Sequence, residues 1–183
     1  MNLETLSLEL SSSKKTWLVT GCAGFIGSHL LEFLLRSNQN VVGVDNFLTG
    51  SQFNLDDVEK CVKAEQWRNF KFINGDIIQR EVTDEVTRGV DYVLHQAALG
   101  AVPRSIKAPL DSHDNNVTGT ANLFWSCHSN GVKKVVYASS SSVYGDNENL
   151  PKLESQTGNP LSPYAATKAI VNSTPTTFIE FMV

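Results

Sequence analysis

The sequence predicts an α/β fold, a doubly wound parallel sheet with helices on both faces. Short β-rich runs alternate with helical patterns along the chain, and a glycine-spaced turn joins the first strand directly to an amphipathic helix. No stretch rich in Pro or Gly marks an internal boundary, and 183 residues suffice for one sizeable core.

The elements follow in order. Residues 1–13 read as a loose leader, because the segment MNLETLSLELSSSKK has acids inside its apolar stretch and its only basic pair, Lys14 and Lys15, at the wrong end for a signal peptide. Strands are predicted at residues 16–20, 41–44, 70–74, 92–95 and 134–138. After the glycine turn, Ile26, Leu30, Leu31, Leu34 and Leu35 recur at helical spacing and leave Glu32 and Arg36 on the wet face. A second helix is expected over residues 116–130, with Val117, Ala121, Phe124 and Cys127 inward and Gly131 as its stop. Near the carboxyl end Ser162 reads as an N-cap and Pro163 as the first helical residue. Pro175 lacks a backbone donor and clashes with the preceding turn, so that helix should end near Asn172.

Composition excludes several functions. A net charge of −4 and a pI near 5.5 give no footprint for nucleic acid or an anionic membrane. Cys22, Cys61 and Cys127 are odd in number and never in a C-x-x-C pair, which fits a reducing, cytoplasmic setting rather than a disulfide framework. The four histidines show no metal-ligand spacing, so no metal site is expected. No window approaches the ~20 apolar residues of a membrane span.

Gly21, Gly24 and Gly27 stand at G-x-x-G-x-x-G spacing within TGCAGFIG, after the strand WLVT and before a helix. Glycine suits a sharp turn and a close backbone approach to phosphate, and the helix amino terminus then faces the anion. Beside this stands the plainer reading, glycines that only permit a tight turn. The second strand ends in Asp45, whose carboxylate can accept hydrogen bonds from ribose hydroxyls. No Lys or Arg lies between Asp45 and Lys60 to meet a 2′-phosphate, which favours NAD over NADP. An Asp that merely caps a strand-to-loop turn is equally consistent with that position alone. Asp76, after the third strand, is a weaker candidate for the adenine end.

Tyr164 and Lys168 lie at i and i+4 on one helix face. An ordinary phenol, near pKa ~10, is a poor base at neutral pH, and a neighbouring ammonium and a helix amino terminus both favour the phenolate. Between the two motifs runs YASSSSVYGD, whose serines sit at a strand's carboxyl end, where open α/β sheets bind ligands. A serine hydroxyl there can bridge a substrate oxygen and the phenolate, or be an ordinary solvated loop group.

Together these residues resemble the extended short-chain dehydrogenase/reductase superfamily, and within it the NAD-dependent epimerase/dehydratase family. TGCAGFIGSHLLE, GVDNFLTG, NGDI, YVLHQAALGAVPRS, DNNVTGT, SSSSVYGD and LSPYAATK stand in family order across residues 14–168. NFLTGSQFNLDDV, HQAALGAVPRS and LPKLESQTGNPLSPY look most like the UDP-N-acetylglucosamine 4-epimerases of bacterial surface-polysaccharide pathways. The resemblance implies a Rossmann-like NAD-binding domain over residues 14–172, and residues 173–183 as an aberrant tail. It implies Gly21, Gly24, Phe25, Ile26 and Gly27 at the pyrophosphate, Asp45 and Asn46 at the adenosine ribose, and Asp76 and Ile77 at the adenine. Gln96, Ala97, Ala98 and Asn115 would lie along the cofactor, and Gly100 and Ala101 at the sugar. Tyr164 would be the catalytic base, with Lys168 as its partner and nicotinamide-ribose ligand, Ser140 the active-site hydroxyl and substrate contact, and Ser141 a helper.

The implied reaction is inversion of a UDP-sugar at C4 by transient oxidation, as in UDP-GlcNAc/UDP-GalNAc or UDP-Glc/UDP-Gal interconversion. Related 4,6-dehydratases follow the active-site hydroxyl with an Asp-Glu pair; Ser141 and Ser142 stand there instead, against elimination. Family members run well past this length, adding another parallel strand and a substrate domain, and usually form homodimers. This chain is therefore expected to lack the last strand and the substrate domain, as after a premature stop, a frameshift or truncation. Two alternatives remain: an NAD-binding fragment without turnover, and a non-enzymatic scaffold or degraded gene product.

Overall fold

Runs rich in Val, Ile and aromatic side chains become strands because such residues fit a pleated, buried surface. They are β1 (Thr16–Thr20), β2 (Asn40–Asp45), β3 (Phe70–Asn74), β4 (Tyr92–His95) and β5 (Lys134–Tyr137). The computed structural model describes residue 10 and residues 12–182, with side chains through residue 174, so most of the expected leader lies outside the described residues. The helices are α1 (Phe25–Arg36), α2 (Gln52–Cys61), α3 (Ala64–Trp67), α4 (Arg80–Val86), α5 (Val102–Lys107), α6 (Pro109–His113), α7 (Gly119–Ser129) and α8 (Pro163–Met182). A π-helical turn, Asp114–Thr118, leads into α7, and a 3-10 turn, Ser141–Tyr144, follows β5.

All strand pairs are parallel, in the order β3-β2-β1-β4-β5. The chain winds outward from β1 to β3 and then returns to place β4 on the other side of β1. That reversal opens a crevice above the carboxyl ends of β1 and β4. Side chains alternate across the sheet, so neighbours in β1 serve opposite cores. Val19 packs with Leu31, Leu34, Leu35, Leu55 and Val58 of α1 and α2, whereas Leu18 packs with Val86, Val93, Leu123 and Cys127 on the other face. Helices therefore cover both faces, the doubly wound arrangement that the sequence predicts.

Three expectations need correction. The buried stripe over 116–130 is Asn116, Gly119, Thr120, Leu123, Ser126 and Cys127, with Val117, Ala121 and Phe124 only partly buried. The π turn inserts an extra residue into the helical register, which rotates the inward face and brings polar groups into a buried network. Ile26, expected inward, is 57% exposed because it lies at the amino end of α1, beyond the reach of the sheet. The helix expected to stop near Asn172 continues as α8 through Pro175. A proline inside a helix removes one bond and costs about 3 kcal/mol, which the remaining ladder can span. Just before it, the hydroxyls of Ser173 and Thr174 both donate to the carbonyl of Ile170 at 2.8 Å, supporting the turn that approaches the proline.

Candidate active site

The glycine turn is built by contact before it meets any ligand. Gly21 has φ +69°, and a Cβ there would lie 2.8 Å from the backbone nitrogen of Ala97, so only glycine permits both the turn and the close approach to the loop after β4. A Cβ on Gly27 would fall 2.0 Å from Gly21 O, so Gly27 serves the packing of α1 against the turn. Gly24 is the N-cap of α1 and provides no side-chain acceptor. The N–H of Gly24 itself turns back to Gly21 O at 3.0 Å, and beyond this cap Ser28 is the first residue whose N–H finds a carbonyl, that of Gly24 at 3.0 Å. The N–H groups of Phe25, Ile26 and Gly27 therefore form the uncapped positive end of a helix, which suits an anion.

Asp45 ends β2 buried against this turn. One carboxylate oxygen accepts from Ala23 N at 3.0 Å and the other from Phe47 N at 2.8 Å. The carboxylate thus braces the glycine turn while keeping lone pairs for a diol. Ala23 O in turn accepts from Ser51 N at 3.0 Å and from Asn54 Nδ2 at 2.7 Å, folding the loop after β2 over the turn. Asn46 Nδ2 donates to Asp76 Oδ2 at 2.8 Å, which joins the ends of β2 and β3.

These groups enclose one cleft. Among the residues singled out from sequence, Gly21, Gly24, Asp45, Asn46, Asp76, Ile77, Gln96, Ala97, Ala98 and Asn115 line it. Leu48, Thr49 and Gly50 also line it and escaped sequence reasoning. The signal was the glycine: a Cβ on Gly50 would meet Asp45 Oδ1 at 2.8 Å, so the loop can close over the carboxylate only with glycine there. Phe25 is 79% exposed, and Gly27 is walled in behind the turn. Gly100 has open space at its missing Cβ, and Ala101 is exposed with φ +80°, a strained conformation for alanine at the start of α5.

Ser162 Oγ accepts from Ala165 N at 3.1 Å and starts α8, which puts Tyr164 in its first turn, half-buried. One turn later Lys168 is 6% exposed, and its Nζ donates to Ala138 O at 2.8 Å. Burial lowers the Lys168 pKa from the ordinary lysine range. That bond fixes α8 to the carboxyl end of β5, where the serines begin, and α8 packs against the 3-10 turn. Ser140 caps this turn, while Ser141 is exposed.

Beneath the dyad runs a buried polar network. Thr20 Oγ1 accepts from Gln96 N at 3.2 Å and Ala97 N at 3.1 Å and lies 2.6 Å from His95 Nδ1. His95 Nε2 lies 2.9 Å from Thr120 Oγ1, whose single proton goes to Asn116 O at 2.5 Å. Thr120 can therefore only accept from the imidazole, so the proton sits on Nε2 and Nδ1 accepts from Thr20. Burial, and then the charge of Lys168, push the His95 pKa down to about 3. Asn116 Oδ1 accepts from Leu99 N at 2.7 Å, and its Nδ2 donates to Leu99 O at 3.1 Å and Thr167 Oγ1 at 3.0 Å. Thr167 Oγ1 then donates to Tyr164 O at 2.7 Å. One residue thus ties the loop after β4 to the helix carrying Tyr164.

A family model described as the NAD dependent epimerase/dehydratase family matches residues 17–179. A UDP-glucose 4-epimerase of Neisseria meningitidis serogroup C is 39% identical over 160 residues, covering 86% of this chain and 46% of its own length. The solved UDP-N-acetylglucosamine 4-epimerase of Methanobrevibacter ruminantium M1, in complex with UDP-N-acetylmuramic acid, superposes with a TM-score of 0.81 at 36% identity. It covers 92% of this chain and 51% of its own. A dTDP-glucose 4,6-dehydratase of Streptomyces venezuelae, solved with NAD bound, has a TM-score of 0.80 at 34% identity, covering 89% of this chain and 51% of its own. The chain spans about half the length of the relatives it matches, and the shared fold alone does not separate epimerases from dehydratases.

Proposed function

The chain belongs to the NAD dependent epimerase/dehydratase family, and from that premise we propose that it supplies the cofactor and proton-transfer half of a UDP-sugar 4-epimerase. The observation that supports this reading is that two groups of residues stand at the carboxyl ends of neighbouring strands. The cleft braced by Asp45 lies above β1, β2 and β4, and α8 sets Tyr164 and Lys168 against the serine turn after β5. The cleft's chemistry fits NAD: an uncapped helix end for the pyrophosphate, a carboxylate for the ribose diol, and no cation for a 2′-phosphate between Asp45 and Lys60.

In this reading the first turn of α1 holds the pyrophosphate, Asp45 with Asn46 holds the adenosine ribose, and the loop from Gln96 to Ala98 borders the nicotinamide side. Bound NAD supplies a reversible hydride acceptor at the sugar C4. Tyr164 as phenolate removes the proton from the C4 hydroxyl and returns it after the keto-sugar has turned over. Lys168, nearly buried, holds its charge beside the phenolate and toward the nicotinamide ribose. Ser140 donates to the C4 oxygen as negative charge develops there. Elimination is disfavoured because Ser141 and Ser142 replace the acid pair. The next carboxylate, Asp146, is spent on Asn159, accepting from its N at 2.7 Å and its Nδ2 at 3.0 Å. A homodimer and a cytoplasmic setting belong to the same proposal.

Incubating the chain with NAD and UDP-GlcNAc or UDP-Glc, and following the C4 epimer by proton NMR, tests it. The epimerase reading predicts conversion that Tyr164→Phe abolishes. NAD binding without conversion selects the second reading, a cofactor-binding fragment. Conversion that survives Tyr164→Phe removes the assigned mechanism.

A further inference from the structure

We propose that Ser142 is a positioning residue that commits the Ser140 hydroxyl to donating its proton. The proposal rests on the reading in which Ser140 serves the same centre as Tyr164, and it changes what that serine can do.

Ser140 Oγ accepts two hydrogen bonds from one residue, from Ser142 N at 3.2 Å and from Ser142 Oγ at 2.8 Å. A hydroxyl oxygen has two lone pairs and one proton. Both lone pairs are occupied inside the chain, so only the proton remains for a ligand. Ser140 therefore does not accept from a sugar hydroxyl while passing a proton on; it is a donor alone. A fixed donor suits an oxygen on which charge develops, because its orientation costs nothing at the moment of reaction.

The turn holds this arrangement in place. Ser140 is extended, at φ −154° and ψ 146°, as the cap of the 3-10 turn. Its carbonyl accepts from Val143 N at 3.2 Å, Ser142 O accepts from Gly145 N at 3.2 Å, and Val143 is buried beneath. Ser141, which sequence reasoning placed as the helper, is exposed and takes no part in the pair. A plain turn cap needs only the bond from Ser142 N; the second bond, from the Ser142 hydroxyl, is the one the proposal interprets.

Neutron diffraction on deuterium-exchanged crystals of the chain locates both hydroxyl deuterons. The expected map puts the Ser142 deuteron on the line to Ser140 Oγ and the Ser140 deuteron pointing away from Ser142; a Ser140 deuteron lying on that line overturns the proposal. Deuteron positions do not depend on turnover, so the expected map in a chain that converts no UDP-sugar keeps the role of Ser142 and rejects the epimerase reading alone.

Discussion

Asp45 and His95 show how single buried residues brace the loops that line the cleft. Asp45→Asn replaces one acceptor oxygen by an amide donor, so either Ala23 N or Phe47 N loses its partner. The expected loss is about 1–3 kcal/mol of stability, read as a lower urea midpoint, together with weakened NAD affinity by calorimetry; unchanged stability would show that the two bonds do not brace the turn. His95 is kept neutral, with its pKa lowered from 6.5 to about 3 by burial first and the Lys168 charge second. The unfolded chain then binds the proton that the folded chain refuses. Stability from this group is complete above pH 6.5 and is lost as pH falls from there toward 3, with a slope approaching ~1.4 kcal/mol per pH unit. Urea midpoints at pH 7, 5.5 and 4.5 should fall less steeply in His95→Gln than in the parent; equal slopes would place the acid sensitivity elsewhere. The sequence offered His95 only as a histidine without metal spacing. Its partners Thr20 and Thr120 lie 75 and 25 residues away in the chain, and no local pattern joins residues that only the sheet and α7 bring together.

Elements were legible in proportion to how local their causes are. The strands emerge from β-rich runs to within a residue at their ends, and α1 from its glycine start and apolar stripe, because burial acts on a period set by the backbone. The 116–130 helix was found but its face was misread, since a π turn leaves no mark in an apolar pattern and polar Asn116 and Thr120 take inward positions. Asn116 gives that element its consequence. Asn116→Ala leaves Leu99 N and O without their partners in a buried place, at an expected cost of about 2–4 kcal/mol. In a chain of this size that lowers the thermal midpoint by roughly 4–16 °C; a drop below about 2 °C, equivalent to at most ~1 kcal/mol, would show that the clamp is dispensable. Ala101 marks the opposite case, an element start held under strain. Ala101→Gly removes a positive-φ cost of order 1–3 kcal/mol and adds chain entropy to the unfolded state, for a net gain of about 1 kcal/mol. Differential scanning calorimetry reads that gain directly, and a loss of stability would mean that the alanine methyl makes a contact worth more than the strain.

At the scale of the molecule, the sheet order explains how motifs far apart in sequence reach the same end of the sheet. β1 and β2 bring the glycine turn and Asp45 to the crevice and β4 brings the loop from Gln96, while β5, next to β4, holds α8 with Tyr164 and Lys168 through the bond from Lys168 Nζ to Ala138 O. The glycine turn, Asp45 and the Tyr-Lys spacing were readable from sequence because each is a short motif with its own chemistry. The loop over Asp45 and the pairing of Ser142 with Ser140 were not, because they depend on which of several equivalent residues the folded chain turns inward. The central claim is that this half-length chain folds around a cleft selective for NAD. Isothermal titration of the chain with NAD and, separately, with NADP tests it most directly: saturable heat with NAD and at least about tenfold weaker binding of NADP, equivalent to 1.4 kcal/mol of discrimination, is the predicted result. No detectable binding of NAD at millimolar concentration, or equal affinity for both, would contradict it.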